Sequence, residues 1–118
     1  MVTLLEKQFG FSKQLGIFLA DLETLGYTVS LGEAWRPDYT AQHYAQTGKG
    51  IASSLHRLRL AIDLNLFKDR QFLTSTEDYE PAGQLWESYV QSGLIFCWGG
   101  RFTKPDANHF SVAHDGVR

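Results

Sequence analysis

The chain has 118 residues, 43% of them hydrophobic and 20% charged, a balance that makes one folded domain and excludes a disordered chain. Eleven basic against thirteen acidic side chains give a formal charge of −2, without the clustered positive charge of a nucleic-acid binder. The longest apolar run, Leu94 to Trp98, is too short to enter a bilayer as a span, and the single cysteine, Cys97, excludes an intramolecular disulfide or a multi-thiolate zinc cluster.

In chain order, Met1 to Lys7 carries no signal-peptide pattern, so synthesis in a cytoplasm is expected. Apolar residues at Phe11, Leu15, Phe18, Leu19, Leu22 and Leu25 predict an amphipathic helix over 11–25, with Ser12 as N-cap and Gly26 as its stop. From Tyr27 the period becomes two. Tyr27, Val29, Leu31 and Trp35 predict the buried face of a strand, with small residues and Arg36 on the other face. Pro37 ends it, and Asp38 to Gln46 predicts a short helix closed by Gly48 and Gly50. Arg59 to Phe67 alternates most clearly, with Leu60, Ile62, Leu64 and Leu66 opposite Arg59, Ala61, Asp63 and Asn65. A second helix is expected from Pro81 to Ser92, with Ala82, Leu85, Trp86 and Tyr89 inward. A buried strand over Leu94–Cys97, a tight turn at Trp98-Gly99-Gly100 and a last strand at His109–Val112 complete the pattern. The class is α+β, a small antiparallel sheet with helices packed on it.

Two histidines stand out by their company. His56 lies seven residues before Asp63, and His109 follows Asp106 by three. Two imidazoles and a carboxylate make a common three-ligand set for a catalytic zinc, with the fourth position left for water. Seven extended residues would separate His56 from Asp63 by roughly 23 Å. His56 must therefore sit on a turn through Arg57–Leu58 that folds back over the sheet. The spacing alone also allows a half-exposed aspartate and ordinary histidines, and Asp106 could equally be a loop cap. His43 and His114 read as ordinary surface or core histidines, and Cys97 as an inert core thiol.

The pattern S-x-H-x-x-x-x-A-x-D, followed by Trp98-Gly99-Gly100 and D-x-x-H-F, resembles the zinc D-Ala-D-Ala carboxypeptidase and L-alanyl-D-glutamate endopeptidase family, which includes phage endolysins. Upstream, Ala34-Trp35-Arg36-Pro37, Gln42, Gly48 to Ile51 and Ser53-Ser54 follow the family's order, so the resemblance covers roughly residues 28–112. It implies a single zinc peptidase catalytic domain over residues 1–118 with the hedgehog/D-Ala-D-Ala-peptidase-like fold. His56, Asp63 and His109 would be the zinc ligands, and Asp106 the catalytic base and later proton donor. Arg36 would bind substrate and polarise the scissile carbonyl, and Ser54, Gln42 and Trp98 would line the substrate site. The partners implied are peptidoglycan stem peptides, with no nucleic acid, no membrane insertion and a monomeric state. An aspartate at 106, where carboxypeptidase relatives often have glutamate, favours the endopeptidase branch, and a phage endolysin acting on the cell wall after release fits the lack of a signal peptide. One departure is Arg59, where the family usually has glycine. Two rivals remain: a non-catalytic peptidoglycan-binding or virion structural module that keeps the fold, and a structural zinc site completed by His114 or Cys97.

Overall fold

The computed structural model describes residues 2–47 and 54–118, apart from the side chains of Ala41, Gln42 and Tyr44. The expected contributions of Gln42 and of Gly48, Lys49, Gly50, Ile51 and Ser53 lie outside the described residues. Helix α1 spans Leu4–Thr24, strand β1 Thr28–Leu31 and helix α2 Asp38–Gln46. Strands β2 (Ala61–Lys68) and β3 (Gln71–Phe72) form a hairpin, followed by helix α3 (Thr76–Ser88), β4 (Phe96–Trp98) and β5 (His109–Val112). The sheet is antiparallel throughout in the order β1-β2-β5-β4, with β3 also paired to β2. This is the expected α+β arrangement.

Both long helices start earlier than their apolar stripes suggest. The α1 N-cap is Thr3, not Ser12: its hydroxyl accepts from the Glu6 N–H while Glu6 reaches back to the Thr3 N–H. This reciprocal capping box satisfies donors that a helix beginning at Ser12 would leave to water. Ser12 instead sits mid-helix and donates to the Gln8 carbonyl. Helix α3 begins at Ser75, whose hydroxyl accepts from Asp78 N–H at 3.0 Å, so Pro81 lies inside the helix rather than in its first turn. Pro81 is exposed, and water can serve the carbonyl its missing N–H leaves unpaired. Tyr89 turns extended and ends the helix short of Ser92.

The core lies between the two long helices and one face of the sheet. Phe18, Leu22, Trp86, Phe110, Leu64 and Leu66 are each fully buried. Trp86 meets Phe11, Phe18, Phe96 and Phe110 in edge-on or tilted ring contacts, and its Nε1–H donates to the Ser111 carbonyl at 3.0 Å. The leucine row of β2 is inward as expected. The expected buried face of β1 fails after Val29, because Leu31 is 64% and Trp35 50% exposed. β1 is an edge strand, and beyond Leu31 the chain stays bonded to β2 only irregularly, with both Gly32 and Glu33 on Asp63. β4 is also an edge. It buries Phe96 and Trp98 but leaves Ile95 outside, so it alternates instead of being buried throughout.

Candidate active site

On the sheet face away from the leucine row, antiparallel register sets Asp63 of β2 directly opposite His109 of β5. Directly opposed residues hold their Cβ atoms about 5 Å apart on one face, so this pairing fixes two donors without any loop. His56 arrives from the fold-back turn that chain length demands. Residues Leu55–Leu58 form a 3-10 turn, which Arg59 closes in the left-handed region with φ 58 and ψ 34. The Ser54 hydroxyl caps this turn by accepting from the His56 N–H at 3.2 Å. Ser54 thus positions the histidine from beneath, through its backbone.

The His56 Nδ1 lies 2.9 Å from the Ala34 carbonyl oxygen, which can only accept, so this nitrogen carries the proton. Nε2 then faces Asp63 Oδ1 at 3.3 Å as an open lone pair. An imidazole anchored through its remote N–H to a backbone carbonyl is the usual support of a metal-binding histidine. The two imidazole rings stand edge to face, 5.2 Å between centroids. One donor atom from each of His56, Asp63 and His109 lies within 4.8 Å of the others. Asp63 Oδ1 is buried without a hydrogen-bond partner among the described residues, and His109 turns its Nδ1 toward it at 3.8 Å. Tetrahedral zinc with bonds of about 2.1 Å holds its ligand atoms about 3.4 Å apart, so shifts of about an ångström close the set. An orphaned carboxylate oxygen faced by two imidazole nitrogens fits a divalent ion. His43, His114 and Cys97 lie outside this group, so three protein ligands are offered among the described residues.

Electrostatics match the geometry. Burial pulls the His109 pKa down to about 4, helped by the neighbouring His56, so its ring is neutral and able to ligate at neutral pH. Burial pulls on His56 as well, but the Asp63 carboxylate and the Ala34 carbonyl overcome it and raise its pKa. Asp106 lies on the turn before β5, where its carbonyl accepts from the His109 N–H at 3.1 Å and its Oδ2 stands 3.9 Å from His109 Nδ1. Its side chain is 55% exposed, yet its inner side is desolvated and faces Asp63, and both effects raise its pKa. A raised carboxylate beside a candidate metal triad is suited to taking and returning a proton. A cavity of about 340 Å³ opens beside Asp106, walled by Asn65, Thr74, Tyr79 and Asn108.

Arg36 is nearly buried, with Nε 2.7 Å from Glu33 Oε1 and Nη2 on the same oxygen. Its charge reaches His56, Asp106 and His109: it adds to the lowering at His109 and partly offsets the rise at His56 and Asp106. Trp98, expected to line the substrate site, is 1% exposed. Its Nε1–H donates to the Ala107 carbonyl at 2.7 Å, and it holds the Asp106 turn from below. Two residues, Glu33 and Phe102, were not singled out by sequence reasoning. Glu33 clamps Arg36 and lies 3.9 Å from His56 Nδ1. Phe102 packs its ring against His109 at 5.2 Å. Gly99 lets the backbone pass where a Cβ would strike the Asp106 carbonyl and come within 2.8 Å of His109 Cβ. The i to i+3 spacing of Glu33 and Arg36 was a readable signal, whereas the Phe102 and Gly99 contacts follow from tertiary packing.

This arrangement has the fold of a known peptidase. Serratia marcescens L-Ala D-Glu endopeptidase ChiX superposes with a TM-score of 0.54 at 20% identity, over 72% of this chain and 66% of that one. The chain therefore spans slightly under two thirds of that protein's length, and the likeness concerns the fold. No curated protein matches the chain significantly. A family model described as D-alanyl-D-alanine carboxypeptidase matches residues 47–112, which is more than half of the chain and holds His56, Asp63, Asp106 and His109. The chain belongs to this peptidase family.

Proposed function

We propose that the chain is a zinc peptidase that hydrolyses an amide bond in the stem peptides of peptidoglycan, as an L-alanyl-D-glutamate endopeptidase in preference to a D-alanyl-D-alanine carboxypeptidase. The observation that carries this reading is the convergence of His56, Asp63 and His109 within 4.8 Å, with the raised carboxylate of Asp106 beside them. Family membership supports a peptidase, and the fold shared with an L-Ala D-Glu endopeptidase supports the class of bond. The resemblance of its motifs to those of phage endolysins supports a role in lysis of a bacterial wall.

His56, Asp63 and His109 would hold the ion, which when bound acidifies water and polarises a carbonyl. Asp106 takes the proton of the attacking water and returns it to the leaving amine, a task suited to a carboxylate whose pKa is raised. Arg36, oriented by Glu33, adds fixed positive charge where negative charge develops on the carbonyl oxygen. Ser54 keeps His56 in place through its backbone, and the cavity walled by Asn65 and Asn108 receives the peptide beside Asp106.

The variant Asp106→Ala tests the division of roles. It is expected to bind zinc with wild-type stoichiometry by atomic absorption and to lose hydrolysis of a stem tetrapeptide by about 10²-fold or more. Near-normal turnover in this variant would overturn the assignment.

A further inference from the structure

The backbones of two arginines converge on one atom beside the candidate active site. The His56 carbonyl oxygen accepts from both the Arg36 N–H at 3.1 Å and the Arg59 N–H at 3.3 Å. Their side chains are treated differently. Arg36 is nearly buried, and Glu33 clamps its guanidinium. Arg59 is exposed, and no carboxylate among the described residues pairs with it, whereas Arg57 and Arg101 meet Asp38, Glu80 and Glu87. Its guanidinium carbon instead lies 4.5 Å above the centre of the Trp35 ring. Trp35 is half exposed and sits between Ala34 and Arg36, the two residues whose backbones are bonded to His56. The left-handed backbone at Arg59 turns the chain so that this stack forms.

A guanidinium laid on an aromatic face keeps its N–H edge free. It is already oriented, and it is weakly hydrated, so a carboxylate can take two parallel hydrogen bonds at little ordering cost. The two bonds considered above share one chemical feature on the leaving side. A terminal D-alanine carries a free carboxylate on the carbon that bears the leaving nitrogen, and so does a D-glutamate linked through its γ-carboxyl group.

We propose that Arg59, held by Trp35, is a specificity-determining residue that reads this free carboxylate, so the preferred substrates are peptides with a carboxylate rather than a carboxamide next to the leaving nitrogen. The proposal rests on the peptidase reading for the identity of the peptide, and on the Arg59–Trp35 stack for the carboxylate. Arg36 cannot take this role, because Glu33 already occupies its fork.

The test uses two synthetic peptides, L-alanyl-γ-D-glutamyl-L-lysyl-D-alanine and its D-isoglutaminyl counterpart, which differ by carboxylate against carboxamide. Binding is measured by calorimetry on the zinc-loaded protein, and kcat/KM separately by chromatography of the products. The wild type is expected to bind the carboxylate peptide about tenfold more tightly, the effect of one charge-assisted contact. Arg59→Gly, which suits the left-handed backbone and therefore folds, is expected to bring that ratio close to one. Arg59→Lys should retain part of the preference, and Trp35→Ala should weaken it. If the wild type binds the two peptides equally or binds neither, the proposal is overturned, as it is if the preference survives in Arg59→Gly. A carboxylate preference lost in Arg59→Gly while neither peptide is cut supports the proposal and refutes the peptidase reading instead.

Discussion

Replacing Gly99 by alanine tests the packing that joins Asp106 to His109. A Cβ at this position points at the Asp106 carbonyl oxygen, well inside contact distance, and comes within 2.8 Å of His109 Cβ. Neither obstacle is a flexible side-chain end. The Gly99 carbonyl also accepts from the Asp106 N–H at 2.9 Å, so the Asp106 turn can retreat only by stretching that bond. Forced overpacking of this kind costs about 2–3 kcal/mol. At about 4 °C per kcal/mol for a domain of this size, the midpoint of thermal unfolding should fall by about 8–12 °C. Gly16→Ala is the matched control. It lies on the exposed side of α1, where nothing stands within 4 Å of the added Cβ and the backbone is already helical. There the gain in helix propensity should stabilise by about 0.5–1 kcal/mol and raise the midpoint by about 2–4 °C. Scanning calorimetry of both variants in the presence of a chelator reads the packing alone. Equal shifts of the same sign, or a Gly99→Ala midpoint unchanged from the wild type, would refute the account of how the turn is seated.

Further predictions concern charge, metal and the helix interface. His109 is buried with its pKa lowered to about 4, so below the unfolded value of 6.5 only the unfolded chain takes up its proton. Its contribution to metal-free stability is therefore complete above pH 6.5 and falls by about 3 kcal/mol as the pH drops to 4. Denaturant titrations of wild type and His109→Gln across this range should show their difference shrinking by that amount, whereas a constant difference contradicts a neutral buried ring. Zinc at a hundredfold excess over its dissociation constant should stabilise by about 3 kcal/mol, or about 10 °C, and Asp63→Ala should abolish most of the shift in a thermal melt with and without chelator. A shift that persists in Asp63→Ala would place the ion elsewhere. The Tyr89 hydroxyl donates to Asp21 Oδ2 at 2.6 Å and ties the end of α3 to α1. Tyr89→Phe should cost about 1 kcal/mol, measured as a lower urea midpoint with unchanged slope.

The parts of the site set by local periodicity and by chain length were legible in the sequence. The alternation Leu60, Ile62, Leu64, Leu66 fixed the face on which Asp63 lies, and the reach of seven extended residues forced His56 onto a turn. A last strand at His109–Val112 was also expected, and its register with β2, which sets His109 opposite Asp63, came only with the fold. Other features turned on information that no short window carries. Leu31 and Trp35 continue an inward alternation, but nothing in their spacing says that β1 is an edge whose pairing turns irregular beyond Leu31. Trp98 looks like a residue beside a glycine turn, and only packing beneath the Asp106 turn shows that its ring faces inward. The start of α1 was a different matter. Thr3 and Glu6 are a complete capping box, and the first apolar residue of the stripe outweighed a signal that was present. Pro81 misled because first-turn preference is a tendency, and an exposed helix face tolerates the proline further in.

The most direct test of the central claim is mass spectrometry of purified peptidoglycan after incubation with the protein, with zinc, with a chelator, and with zinc restored. The account predicts new stem-peptide fragments with zinc, ending in a freed alanine carboxylate and beginning at a D-glutamyl amine, that vanish on chelation and return with zinc. Intact peptidoglycan with zinc bound, or fragments that form equally well in the chelator, would contradict it.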